Sequence, residues 1–138
     1  MLNNIYTDFK NYLESAFPDI KIDEYRGEFK EKAPVNWNPS FPCCLIKLEE
    51  YSPVVRASSG EIIRHQTKFT LYIAEKNSLG YELIQQIVDN LNETHLSHIV
   101  NNSVPVIIDG GYDVEVDSVK FFTAVNSVRV HTLNITIF

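Results

Sequence analysis

His95 and His98 are three residues apart, the spacing at which two imidazoles share one helical face and could hold a metal ion. A closed zinc site needs further ligands, and Glu93 is the nearest carboxylate, so the pair reads as solvent-facing histidines at a helix end. His65 and His131 are isolated in strand-like sequence and read as structural. Asp109, Asp113, Glu115 and Asp117 crowd one segment, but Asp109-Gly110-Gly111 supplies no second oxygen at the calcium-loop step. Asp113, Glu115 and Asp117 alternate with Val114 and Val116, the pattern of a strand's polar face. Gly110-Gly111 opens no helix that carries a Lys, so it is no phosphate loop. Ser58-Ser59-Gly60 lacks the strand-to-helix setting of a nucleophile elbow. The only cysteines, Cys43 and Cys44, are chain neighbours, which in a strand point to opposite faces and read as small apolar core residues of a cytosolic protein. These residue types assemble into no catalytic, cofactor-binding or metal-binding constellation, and an enzyme is not expected.

Length and charge narrow the classes further. The chain has 138 residues, which suits one domain over residues 1–138. It is 44% hydrophobic and 22% charged, the profile of an ordinary globular protein. A net charge of −6 argues against a DNA-coating role, since phosphate binding needs a surplus of Lys and Arg. Arg56, Arg64 and Lys68 place some positive charge beside a long loop, where solvation is the simplest reading. No apolar run is long enough to cross a membrane, and the first ten residues lack the basic and apolar regions of a signal peptide, so neither is expected.

The elements around these residues are organised about residues 67–91. Phe69, Leu71 and Ile73 alternate with Lys68, Thr70 and Tyr72, a half-buried strand. Leu79, Leu83, Ile84, Ile87, Val88 and Leu91 then fall on one helical stripe, with Ser78 as the expected N-cap and Glu82 in the first turn. At roughly 1.5–3 kcal/mol for each large side chain buried, the two stripes make a large part of one core. Leu2, Ile5, Tyr6, Phe9, Tyr12, Leu13 and Ala16 predict an N-terminal amphipathic helix, with Asp8 on its polar side, ended by Pro18. Ile20 and Ile22 suggest a short edge strand. Residues 27–41, which carry Trp37, read as a loop, and 43–51 as a strand. Residues 52–64 contain Pro53 and Ser58-Ser59-Gly60 and predict a long hairpin loop or extended arm. After the second helix, 94–102 reads as a further half-turn, 104–108 as a strand and 109–111 as a turn.

Residues 112–122 and 127–138 carry the strongest hairpin signal. The apolar phase shifts between Val116 and Val119 in the first strand and between Val130 and Leu133 in the second. A turn centred on Ala124-Val125 sets Phe121 opposite Val128, Val119 opposite Val130, Val116 opposite Leu133 and Val114 opposite Ile135. In this register the distal half buries against something other than the helices. Val119, Phe121, Val128 and Val130 then form an exposed apolar patch, and a pair of β-bulges within one core is the alternative. The whole predicts an α+β fold, a mostly antiparallel four- to five-stranded sheet with two amphipathic helices on one face.

This layout resembles the tail-terminator (tail-completion) proteins of tailed bacteriophages and phage-tail-like bacteriocins, including the Mu-like minor tail proteins. The matching residues are the N-terminal helix running into Phe17-Pro18-Asp19-Ile20-Lys21-Ile22, then Glu24-Tyr25-Arg26-Gly27. The apolar strand 43–48, the strand 69–74 leading into the helix 79–91, and the closing hairpin follow. The resemblance implies a homo-oligomeric ring, a hexamer, on the last ring of a tail tube, ending tube growth and offering a surface to a head connector, cap or sheath. It implies assembly in the host bacterial cytoplasm and residence in the particle tail, with DNA passing through unbound and no cofactor. Under it, Val119, Phe121, Val128 and Val130, with Val54, Val55 and Arg56 of the arm, are expected at the subunit interface. Asp113, Glu115 and Asp117 are expected to face the lumen, where like charge lets DNA slide. A small regulatory or nucleic-acid-binding α+β domain is the alternative.

Overall fold

A computed structural model describes residues 2–29, 40–56, 62–92, 94–96 and 112–138. The elements run α1 (Leu2–Ala16), β1 (Lys21–Glu24), β2 (Cys43–Arg56), β3 (Ile62–Lys76), α2 (Glu82–Leu91), β4 (Thr94–Leu96), β5 (Tyr112–Val125) and β6 (Val128–Ile137). Among the described residues, six strands form one sheet in the order β1-β2-β3-β6-β5-β4. Every ladder is antiparallel except β1–β2. The α+β class, the mostly antiparallel sheet and the two helices are those the sequence predicts; the sheet has one strand more than the four or five expected.

Both helices cover the same face. Ile5, Phe9 and Leu13 of α1 and Ile84, Ile87 and Leu91 of α2 are buried in one cluster with Ile22, Cys44, Ile46, Phe69, Leu71, Ile73, Val114, Leu133, Ile135 and Ile137. Phe9 stacks on Phe69 at 5.7 Å between ring centroids. Described residues also cover part of the opposite face. There Phe29, Cys43, Leu45, Tyr72, Ala74, Val128 and Val130 form a second buried cluster, with Tyr25, Phe41 and Phe122 packed against it. Tyr25 lies flat on Tyr72, ring centroids 3.9 Å apart, so the segment after β1 folds back over this face. Cys43 and Cys44 do point to opposite faces, one in each cluster.

The closing hairpin pairs in another register than expected. Val114 faces Ile137, Val116 faces Ile135, Val119 faces Leu133, Phe121 faces His131 and Val125 faces Val128. The turn is Asn126-Ser127, both with positive φ (52° and 67°), as in a two-residue type I′ turn, whose twist suits a hairpin. Shifts between Val116 and Ser118 and between Phe121 and Thr123 give β5 two irregularities, while β6 pairs with β3 without interruption. The change of apolar phase in β6 therefore marks a change of cluster: Leu133, Ile135 and Ile137 bury under the helices, and Val128 and Val130 bury on the other face.

Other expectations are also corrected. α2 starts at Glu82, not Leu79; Gly80 has φ 76°, the N-cap is Tyr81 without a side-chain cap bond, and Ser78 Oγ instead donates to Glu75 Oε1 at 3.0 Å. The expected hairpin loop or extended arm at 52–64 takes the extended form where it is described, with Ser52 opposite Gln66, Val55 opposite Arg64 and Arg56 opposite Ile62, and 57–61 lie outside the described residues. Pro53 sits where that register shifts, a position that spares the ladder its missing N–H. Residues 94–96 are strand rather than half-turn, pairing with β5. Asp8 is buried rather than solvent-facing. The expected strand at 104–108, the turn at 109–111 and Trp37 lie outside the described residues.

Candidate interaction surface

The helix face continues past the N-terminus of α2, where no described element covers it. Phe121 of β5 is 63% exposed and Val119 is 43% exposed. Tyr81 and Leu79, in the β3–α2 connection, are 65% and 94% exposed. Tyr81 and Phe121 both meet His131 edge to face, at 5.6 and 5.7 Å between centroids. The sheet supplies the rigid backing, since Phe121 pairs with His131 and His131 with Ile73. Large apolar side chains exposed together on a well-packed support are the usual mark of a contact surface.

Arg129 ties the loop to the sheet. Its guanidinium lies 5.5 Å from the Tyr81 ring centroid and 3.8 Å from Glu75, and Nη2 donates to the Gly80 carbonyl. His131 is buried, and its Nδ1 has no hydrogen-bond partner among the described residues. Burial, then the field of Arg129, lowers its pKa, and Glu75 opposes this in part. The imidazole at the base of the patch is thus held neutral. Beside it, Ser78, Leu79, Asn126 and Arg129 help line an open groove of about 490 Å³ between the β3–α2 connection and the hairpin turn.

The expected interface residues are divided. Val119 and Phe121 are on the exposed patch, but Val128 and Val130 are buried in the opposite cluster, so the four do not form one surface. The reason is the register: Val130 lies beside Ala74 and Thr123, one face away from Phe121. Val54, Val55 and Arg56 end β2, and their side chains lie outside the described part. Asp113, Glu115 and Asp117 are exposed, and the ladder sets Glu115 opposite Thr136, on the face away from the helices. Asp117 Oδ2 accepts from Thr136 Oγ1 at 2.6 Å. Lys47, Thr70, Asn134 and Ser118 form a polar row across four strands of that face, with Asn134 Nδ2 donating to Ser118 Oγ at 3.0 Å.

His95 lies in β4, not on a helix, and His98 lies outside the described residues. His65 is buried, 3.3 Å from Thr67 Oγ1. Burial pushes the Cys43 thiol up to about 12 and raises the Cys44 thiol as well, which favours the protonated form of both. Among the described residues no group of three or more His, Cys, Asp or Glu is placed to hold a metal ion, and no helix is long and apolar enough to cross a membrane. Sequence reasoning missed Leu79 and Tyr81 as surface residues, because Leu79 continues the helical stripe; Gly80 was the signal that the helix starts later. Neither the protein-family models nor the curated proteins contain a match for this chain.

Proposed function

We propose that the chain is a structural assembly subunit of the tail-terminator kind. It forms a homo-oligomeric ring, closes a tail tube, and presents a surface to a head connector, cap or sheath. The observation that carries this reading is the exposed patch of Tyr81, Val119 and Phe121 backed by the sheet, with Leu79 exposed in the adjoining connection, a surface suited to protein contact. The order of elements supports it as well, running from α1 through Phe17-Pro18 into β1, from β3 directly into α2, and ending on a long hairpin. Asp113, Glu115 and Asp117, on the sheet face away from the helices, are suited to repel DNA in a conduit.

Mass photometry of the purified protein, with and without tube protein, tests the reading. A ring-sized species, alone or on tube ends, is expected. A monomer under both conditions, or salt-dependent DNA binding in place of assembly, would refute it. In an assembled ring, outward-facing Asp113, Glu115 and Asp117 would remove the lumen role.

A further inference from the structure

A second apolar feature lies on the same sheet face, at the other lateral side. Leu2, Tyr6, Ile46, Leu48 and Phe69 line an open groove of about 390 Å³ between the start of α1 and β1–β3. Leu48 at its wall is 43% exposed, and Glu24 is at its rim. The strand order puts β2 and β3 of the groove toward one edge of the sheet and β5 and β6 beneath the aromatic patch toward the other, so the two features are laterally separated on one face. A closed ring requires two different surfaces, one toward each neighbour. The groove is at the small end of pocket sizes, about 300–1,000 Å³, and so has room for one or two large side chains.

We infer that the Leu48 groove receives the Phe121–Tyr81 knob of a second copy of this chain, making a head-to-tail contact. This rests on the ring-forming reading and names its two halves. Charge agrees with shape. Glu24 sets a carboxylate at the rim of the groove, while the neighbouring Asp23 is ion-paired with Arg26 at 3.7 Å. The knob carries the Arg129 guanidinium 5.5 Å from the Tyr81 ring centroid, where Glu75 is its ion-pair partner at 3.8 Å. An aromatic knob with a guanidinium stacked on it thus matches an apolar groove with a carboxylate at its rim.

Two variants and their mixture test it. Phe121→Asp destroys the knob and leaves the groove; Leu48→Asp destroys the groove and leaves the knob. Both side chains are solvent-exposed, and Phe121→Ser and Leu48→Gln serve as milder substitutes if a cooperative thermal transition is lost. Each variant alone is expected to be a folded monomer by mass photometry and sedimentation. Mixed in equal amounts, they are expected to give a dimer and nothing larger, since one intact contact remains. If the Leu48 variant assembles like wild type, or the mixture stays monomeric, the groove is not the partner of the knob, while wild-type rings would leave the ring-forming reading standing. If the wild type forms no ring alone or on tube ends, both proposals fall.

Discussion

Phe121 stands edge-on to His131, with 5.7 Å between ring centroids and 77° between planes. The imidazole is buried beneath it, while most of the phenyl ring meets solvent. A neutral, buried base therefore supports the exposed knob, and the state of that base matters for stability.

The His131 pKa is lowered in the fold by burial and then by Arg129, and that of His65 by burial. The unfolded chain therefore binds more protons as pH falls below the ordinary value of 6.5. Stability from these groups is present above that pH and is lost as pH drops through the folded pKa. Unfolding in denaturant from pH 7.5 to 5 should show this decline, and His131→Leu should make it shallower. An unchanged slope would mean that His131 is not held neutral.

Ile87 is 1% exposed in the cluster under the helices. Ile87→Ala is expected to cost about 2–5 kcal/mol in denaturant unfolding. Leu79→Ala, one residue before the left-handed Gly80 and outside α2, should change stability by less than about 0.5 kcal/mol. Equal losses at the two positions would place Leu79 back in the core.

Ser127 closes the hairpin with φ at 67°. A left-handed non-glycine residue costs about 1–2 kcal/mol, and glycine's extra freedom in the unfolded chain returns about 0.5–1 kcal/mol of that. Ser127→Gly should thus stabilise the protein by roughly 0.5–1 kcal/mol. A lower midpoint of thermal unfolding would contradict the type I′ assignment.

Cys43 and Cys44 are buried on opposite faces, with thiols pushed toward the protonated form. A thiol reagent at pH 8 should label neither in the native protein and both after denaturation. Rapid native labelling of Cys43 would show that the Tyr25–Phe29 cover opens readily.

Local periodicity was enough for what depends on one element at a time. The stripe Ile5, Phe9, Leu13 determined α1, and alternation in Phe69, Leu71, Ile73 determined β3 and its buried side. The α2 stripe was legible too, although its start was not, because Leu79 fits the period while the left-handed Gly80 interrupts the backbone. Alternation also divided Cys43 from Cys44.

Tertiary structure decided what lies against each face. The phase change in β6 reads the same whether Val128 and Val130 meet a neighbouring subunit or their own chain. Among the described residues, the internal partner is the return of Tyr25 and Phe29 over Cys43, Leu45 and Tyr72, with Phe41 and Phe122 beside them. The hairpin register was likewise undetermined, since a register set by apolar matching competes with one set by turn conformation. The left-handed pair Asn126-Ser127, with the two shifts in β5, moved Val119 opposite Leu133 and Phe121 opposite His131. The knob arises from that register: Phe121 lies beyond the helices on a face they leave bare, next to a connection whose exposed Tyr81 no periodicity could place.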